Sequence, residues 1–225
     1  MNHALRAFVF DAYGTLFDVH SIAALAETLA PRQGAVLSQI WRTKQLQYTW
    51  LQSLMTSPAV PRDDFARITA LALDYAIAQL MVPLGQPERA RLIEGYLHLT
   101  PFPDAREMLA ALAPRARWIL SNGTLAMLQP LIAESAIAGD IDGILSVDEA
   151  GVYKPSPRVY QLAVDRLGFA PNEIAFVSAN GWDAAGAKAF GFTTIWINRL
   201  GEPTERHGPE PDFIVGSLAL VAGLA

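Results

Sequence analysis

From Phe102 to the C-terminus the chain repeats one rhythm, a short apolar run followed by a segment of helical periodicity. "RWIL" (117–120), "GILSV" (143–147), "EIAFVS" (173–178), "TTIWIN" (193–198) and "DFIV" (212–215) are the apolar runs. "LRAFVF" (5–10) opens the chain in the same way. Strands that alternate with helices imply a parallel, doubly wound sheet. Helices are expected near 104–113, after "SNGT", over "WDAAGAKAFG" and after the last strand. "SPRVYQLAVDRLG" reads as a helix capped by Ser156 with Pro157 at its first position. From Ile22 to about Leu99 the pattern is helical instead, and breakers at Pro31, Pro58, Pro61, Pro83 and Pro87 divide it into three or four helices. The expected fold is therefore α/β: a Rossmann-like doubly wound parallel sheet with an inserted α-helical cap. The core takes residues 1–17 and 99–225, and the cap takes 18–98.

In open parallel sheets, ligands bind beyond the carboxyl ends of the strands. The polar residues that follow each expected strand can be read off directly. Asp11 ends the first, Ser121 and Asn122 the second, and Lys154 lies in the loop "GVYKPS". Ser178 and Asn180 end the fourth, with Asp183 just beyond at a helix start. Each has an ordinary structural role open to it: a helix cap for Asp183, a solvated loop lysine for Lys154, a turn residue for Ser121. Their joint arrival at one sheet edge points instead to an active site.

Several classes of function are excluded or disfavoured. A formal net charge of −5 over 225 residues leaves no basic footprint, so no nucleic-acid partner is expected. The absence of cysteine excludes disulfides, thiolate chemistry and Cys-ligated zinc. His3, His20, His98 and His207 stand without metal-ligand spacing or triad partners, so neither a metal nor a cofactor is expected. Arg6 and Asp11 interrupt the first apolar run, and no window is long enough to span a bilayer. A soluble cytoplasmic protein without a membrane partner is expected.

The motifs resemble those of the haloacid dehalogenase superfamily. "FDAYGTLF", "LSNGT", "YKP" and "FVSANGWD" match its four motifs in order across the whole chain. Most of that superfamily are phosphatases, which need a second Asp two residues after the nucleophile and further acids in the fourth motif to hold Mg²⁺. Here Tyr13 stands in the first of those positions, and Asp183 is the single acid of the fourth motif. A halide leaves without a proton, and displacement at carbon needs no magnesium. "DAYGTLFDVHS", "WRTKQLQYTWL", "VYKPSPRVY" and "SANGWDAAGAKAFGF" resemble the L-2-haloacid dehalogenase branch, except that Ala179 replaces a serine common there.

The resemblance implies roles. Asp11 attacks the halogen-bearing carbon with inversion, and water then hydrolyses the aspartyl ester. Lys154 balances charge beside Asp11, and Asp183 orients Lys154 or helps activate the water. Thr15 and Ser178 offer hydrogen bonds to Asp11, and Asn180 helps place the water. Arg42, Asn122 and Trp182 are the halide-side residues. Ser121 and the following amides take the substrate carboxylate, and Tyr13, Leu46 and Trp182 shape the pocket. Arg42, Leu46 and Trp50 share one helical face, with Trp50 read as a core or subunit-contact residue. Tyr160 is either a hydrogen-bonding site residue or a packed core tyrosine. The expected substrate is a short 2-haloalkanoic acid and the expected state a homodimer. A phosphatase or phosphonatase-like hydrolase, or a non-catalytic binding protein on the same fold, is the alternative.

Overall fold

The computed structural model describes residues 4–55, 57 and 59–224; His3 and Pro58 lie outside the described residues. Six parallel strands form one sheet: β1 (Ala7–Phe10), β2 (Ala116–Ser121), β3 (Gly143–Ser146), β4 (Ile174–Ser178), β5 (Thr193–Ile197) and β6 (Phe213–Val215). Their order is β3-β2-β1-β4-β5-β6. All of β1 and β4 is buried, as expected for strands covered on both faces. Phe10 pairs with Ile119 on one side and Val177 on the other, so β1 ends between β2 and β4. The strand order reverses about β1, which makes the end of β1 the switch point of the sheet.

The α-helices are α1 (His20–Leu29), α2 (Gly34–Met55), α3 (Phe65–Leu80), α4 (Gln86–Gly95), α5 (Ala105–Ala111), α6 (Leu125–Ala133), α7 (Pro157–Leu167) and α8 (Gly181–Phe190). Two compact units divide the chain. One comprises residues up to Phe17, Pro101–Asn122 and Ser135 onward; the other comprises Asp18–Thr100 and Gly123–Glu134. The segment 123–134, expected in the core, thus groups with the 18–100 helices. The apolar positions Met127, Leu128, Leu131 and Ile132 of α6 announce a buried face, but not what covers it.

Three local expectations differ. "GILSV" stops as a strand at Ser146, whose Oγ accepts from the Asp148 N–H at 3.2 Å and opens a short 3₁₀ turn. Ser156 does occupy the cap position of α7, but its side chain makes no capping bond. The Val159 N–H is taken instead by the Ser156 carbonyl at 2.9 Å. The C-terminal helix is 3₁₀ (Leu218–Leu224), and its buried Leu218 and Val221 are spaced by three, the period of that helix. No helix among the described residues is long and apolar enough to cross a membrane.

Candidate active site

Asp11 is the first residue beyond the paired end of β1. Its N–H still donates to the Val177 carbonyl at 3.0 Å, which fixes the main chain on the sheet edge. Gly14 then turns the chain with φ +85°, in the left-handed region where glycine alone is unstrained. The turn brings Thr15 back, and its Oγ1 donates to Asp11 Oδ2 at 3.1 Å. Asn180 Nδ2 donates to the same oxygen at 2.9 Å, and Lys154 Nζ donates to Oδ1 at 3.1 Å.

Lys154 is buried, so the solvated loop lysine is ruled out. Its main-chain N–H donates to Asn122 Oδ1 at 3.1 Å, which ties the loop to the end of β2. Its Nζ donates to Asp183 Oδ2 at 2.9 Å and lies 4.8 Å from the centre of the Phe176 ring. Burial pushes the pKa of Lys154 down. Asp11 and Asp183 outweigh it, and the net shift is upward. The ammonium therefore stays charged throughout the neutral range.

Asp183 is the third residue of α8 and wholly buried, while the cap position belongs to Asn180. Its carboxylate serves the site rather than the helix end. Oδ2 accepts from Lys154 and from Ser178 Oγ at 3.1 Å, and Oδ1 accepts from the Tyr160 hydroxyl at 2.8 Å. Burial raises the pKa of Asp183, Lys154 pulls against that rise, Asp11 adds to it, and the net is upward. The Tyr160 hydroxyl is held well above its ordinary value, by burial first and by Asp183 second, so it remains a donor. Gly186 on α8 permits this approach, because a Cβ there would meet the Tyr160 oxygen at 2.7 Å and Pro155 Cβ at 2.5 Å.

Two expected contacts are corrected. Ser178 does not bond to Asp11; its hydroxyl donates to Asp183 and accepts from the Asn180 N–H at 3.1 Å. Asn180 holds Asp11 directly. Ala179 acts through its backbone, its N–H donating to Thr15 Oγ1 at 2.8 Å and its carbonyl accepting from Trp196 Nε1 at 3.2 Å. A methyl side chain leaves both bonds intact.

Hydrogen bonds thus link Asp11, Thr15, Asn122, Lys154, Tyr160, Ser178, Asn180 and Asp183. Ser121 and Tyr13 are buried in the same unit, and Trp182 is half-buried beside Asp183. Arg42 and Leu46 belong to the other unit, both half-buried on α2. Trp50 is 36% exposed, so it is not a core residue: it follows the buried line Trp41, Gln45, Thr49 by one position. Among the described residues no group of three or more His, Cys, Asp or Glu is arranged to hold a metal ion. Asp11 and Asp183 share the Lys154 ammonium.

Trp196 and Arg199 escaped the sequence reading. Arg199 Nη2 donates to the Thr15 carbonyl at 3.2 Å, behind the hydroxyl that holds Asp11. It follows the end of β5, so the same search of strand ends reaches it. Trp196 lies within β5 and carries no such signal.

Chemically, the site offers one carboxylate held by three donors, a buried ammonium, and a second carboxylate anchored behind it. That suits covalent catalysis by Asp11. The haloacid dehalogenase-like hydrolase family model matches residues 5–191. An (S)-2-haloacid dehalogenase of Xanthobacter autotrophicus is 40% identical, covering 98% of this chain and 96% of its own. The haloacetate dehalogenase H-2 of Moraxella sp. (strain B) is 41% identical, covering 94% and 93%. A solved structure of the L-2-haloacid dehalogenase from Xanthobacter autotrophicus with chloropropionic acid covalently bound aligns with a TM-score of 0.90. It is 38% identical and covers 98% of both chains.

Proposed function

The chain belongs to the haloacid dehalogenase-like hydrolases, and we propose that it converts short L-2-haloalkanoic acids to D-2-hydroxyacids with release of halide. It is a hydrolase of carbon–halide bonds that works through an aspartyl ester. The observation that carries this reading is Asp11 beside Lys154, with Tyr13 where a phosphatase of the superfamily holds its general acid.

Asp11 Oδ2 accepts two hydrogen bonds and Oδ1 one, so Oδ1 keeps the lone pair for attack. It displaces halide from the back of the α-carbon, which inverts that centre. No proton is needed for halide to depart. Esterification removes the charge of Asp11, and Asp183 remains as the counter-ion of Lys154. Water then attacks the carbonyl carbon of the ester and gives its proton to Asp183. The acyl–oxygen bond breaks, and the departing alkoxide takes that proton from Asp183 to leave as the hydroxyacid. Asp11, released as the carboxylic acid, loses its proton to solvent. Thr15 and Asn180 hold the carboxylate for both steps, while Ser178 and Tyr160 hold Asp183.

The substrate carboxylate binds at Ser121, and Tyr13 and Trp182 shape the pocket. Asn122 uses Oδ1 on the Lys154 N–H, and its Nδ2 is the donor read as serving an anion. Asn122 and Trp182 accept the halide, and Arg42 is read from the resemblance as a further halide-side residue. The unit of residues 18–100 is read as the cap. The enzyme works without metal, in the cytoplasm, and as a homodimer whose contact surface includes the exposed Trp50, Leu51, Leu54 and Met55 of α2.

The deciding experiment is halide release from L-2-chloropropionate and L-2-bromopropionate in excess EDTA, beside an Asp11→Asn control. Release that persists with chelator and vanishes in the control is the expected result. No release, together with phosphate release from a phosphoester when Mg²⁺ is added, overturns the reading in favour of a phosphatase.

A further inference from the structure

The helical unit buries polar groups where aliphatic side chains would pack more cheaply. Along α2 the buried positions are Gly34, Leu37, Trp41, Gln45 and Thr49, and Thr69 on α3 is wholly buried too. A buried amide and hydroxyl add little to stability over apolar groups of the same shape. Their presence calls for another role.

Their hydrogen bonds run in one direction. Thr69 Oγ1 donates to the Phe65 carbonyl at 2.6 Å, which uses its single proton. It can then only accept from Gln45, whose Nε2 lies 2.7 Å away. That contact fixes the amide, with nitrogen toward Thr69 and oxygen away from it. Gln45 Oε1 accepts from Arg42 Nη1 at 2.7 Å. Trp41 braces the same turn by donating from Nε1 to the Thr69 carbonyl at 2.8 Å, and it packs edge-on against Tyr96 at 5.1 Å. Burial raises the pKa of Tyr96 against the pull of Arg42 and of its bond with Gln45, so Tyr96 stays neutral beside the guanidinium.

An arginine held by a carboxylate has its charge largely cancelled. Arg42 is held by a neutral amide, which fixes direction and leaves the charge for an anion. We propose that Gln45 is a positioning residue for Arg42, and that the relay from Phe65 through Thr69 and Gln45 fixes one orientation of a fully charged guanidinium, the form that stabilises a departing halide. The proposal rests on the reading of Arg42 as a halide-side residue. The carbon–halogen bond breaks with its electron pair going to the halogen, and Arg42 supplies hydrogen bonds to that anion without transferring a proton.

The leaving group supplies the test. Chloride departs less readily than bromide, so its expulsion depends more on the cradle. The ratio of kcat/KM for L-2-bromopropionate over L-2-chloropropionate reads this directly, because kcat/KM covers the steps up to halide expulsion. Gln45→Leu is expected to lower the chloride value by about tenfold and the bromide value by less, with an unchanged or higher Tm. Gln45→Glu keeps the shape but neutralises Arg42, and the ratio should rise again; it also decides the matter if Gln45→Leu fails to fold. Thr69→Val should give a smaller rise. An equal loss on both substrates with a lower Tm means a structural role and overturns the proposal. An Arg42→Met control separates the two layers. If it raises the ratio while neither Gln45 variant does, the Gln45 proposal falls. If Arg42→Met leaves the ratio unchanged, the reading of Arg42 itself falls.

Discussion

The Tyr160 hydroxyl lies 2.8 Å from Asp183 Oδ1, and the ring that carries it is wholly buried. Phe176, Phe190 and Phe192 surround that ring, with centroids 5.5, 5.8 and 6.0 Å away. Tyr160 is therefore a packed core residue and a hydrogen-bond donor to Asp183 at once, two features that the sequence posed as alternatives. Tyr160→Phe keeps the packing and removes one donor from a buried carboxylate. The expected loss of stability is about 2 kcal/mol, read by denaturant unfolding. Because Asp183 acts in ester hydrolysis, after halide has left, kcat should fall by about tenfold while kcat/KM holds, so that KM falls with kcat. An unchanged kcat would mean that Lys154 and Ser178 suffice to anchor Asp183.

Gly186 makes the same bond possible from the other side. A methyl there would lie 2.7 Å from the Tyr160 oxygen and 2.5 Å from Pro155 Cβ, so α8 or its neighbours must shift. Gly186→Ala should destabilise by about 1–3 kcal/mol and lower kcat. In a Tyr160→Phe background the hydroxyl clash is gone, and the further cost of Gly186→Ala should shrink. Full additivity in the double variant would place the strain at Pro155 alone.

Lys154 separates two carboxylates in a buried setting, and its removal has a signed pH signature. In the native protein its pKa lies above the ordinary 10.5. The stability it contributes is fully present below that value and is lost as pH rises through the folded pKa. An alkaline fall in activity below pH 10.5 would thus come from another group. Lys154→Met leaves Asp183 and Asp11 without their cation. The variant should be inactive and less stable by about 3–5 kcal/mol at pH 7. Without the pull of Lys154, burial raises the Asp183 carboxyl further. A raised carboxylate contributes stability below its unfolded pKa and loses it as pH rises through the folded one. The Tm deficit of the variant should accordingly narrow as pH falls from 7 toward 5. A deficit that stays constant over that interval would mean that Asp183 remains ionised in the folded variant.

The strands were legible because each is a short apolar run bounded by polar residues, and a parallel sheet allows such runs few arrangements. Asp11, Lys154 and Asp183 were legible as strand-end residues, since the sheet edge gathers whatever follows a strand. Partner choice was not legible. Ser178 ends the strand that pairs with that of Asp11 and also lies five residues before Asp183, and only the turn into α8 shows that it faces Asp183 rather than Asp11. Gln45 was hidden because helical periodicity marks a position as buried without saying that the buried atom is an amide with a directed bond. The grouping of α6 with the 18–100 helices was hidden for a related reason. Its apolar face is evident, but the surface that accepts it is a property of the folded chain.

Arg199 extends the support of Asp11 one layer outward. Its guanidinium donates to the Thr15 carbonyl at 3.2 Å, stacks on Phe102 at 3.8 Å, and stands 3.8 Å from Asp104 Oδ1. Asp104 in turn accepts from the Leu218 N–H at 2.8 Å. The ion pair is partly exposed and long, so it adds little. The bond to Thr15 and the stacking are the parts with consequence, because Thr15 Oγ1 both holds Asp11 and accepts from Ala179. Arg199→Met keeps an apolar stem over Phe102 and removes the donor. It should lower kcat by about threefold to tenfold with KM unchanged. Arg199→Lys, which retains a charge but not the planar fork, should recover part of that loss. If Arg199→Met lowers Tm and leaves kcat intact, Arg199 serves only to join the ends of β1 and β5, and Thr15 keeps its aim without help.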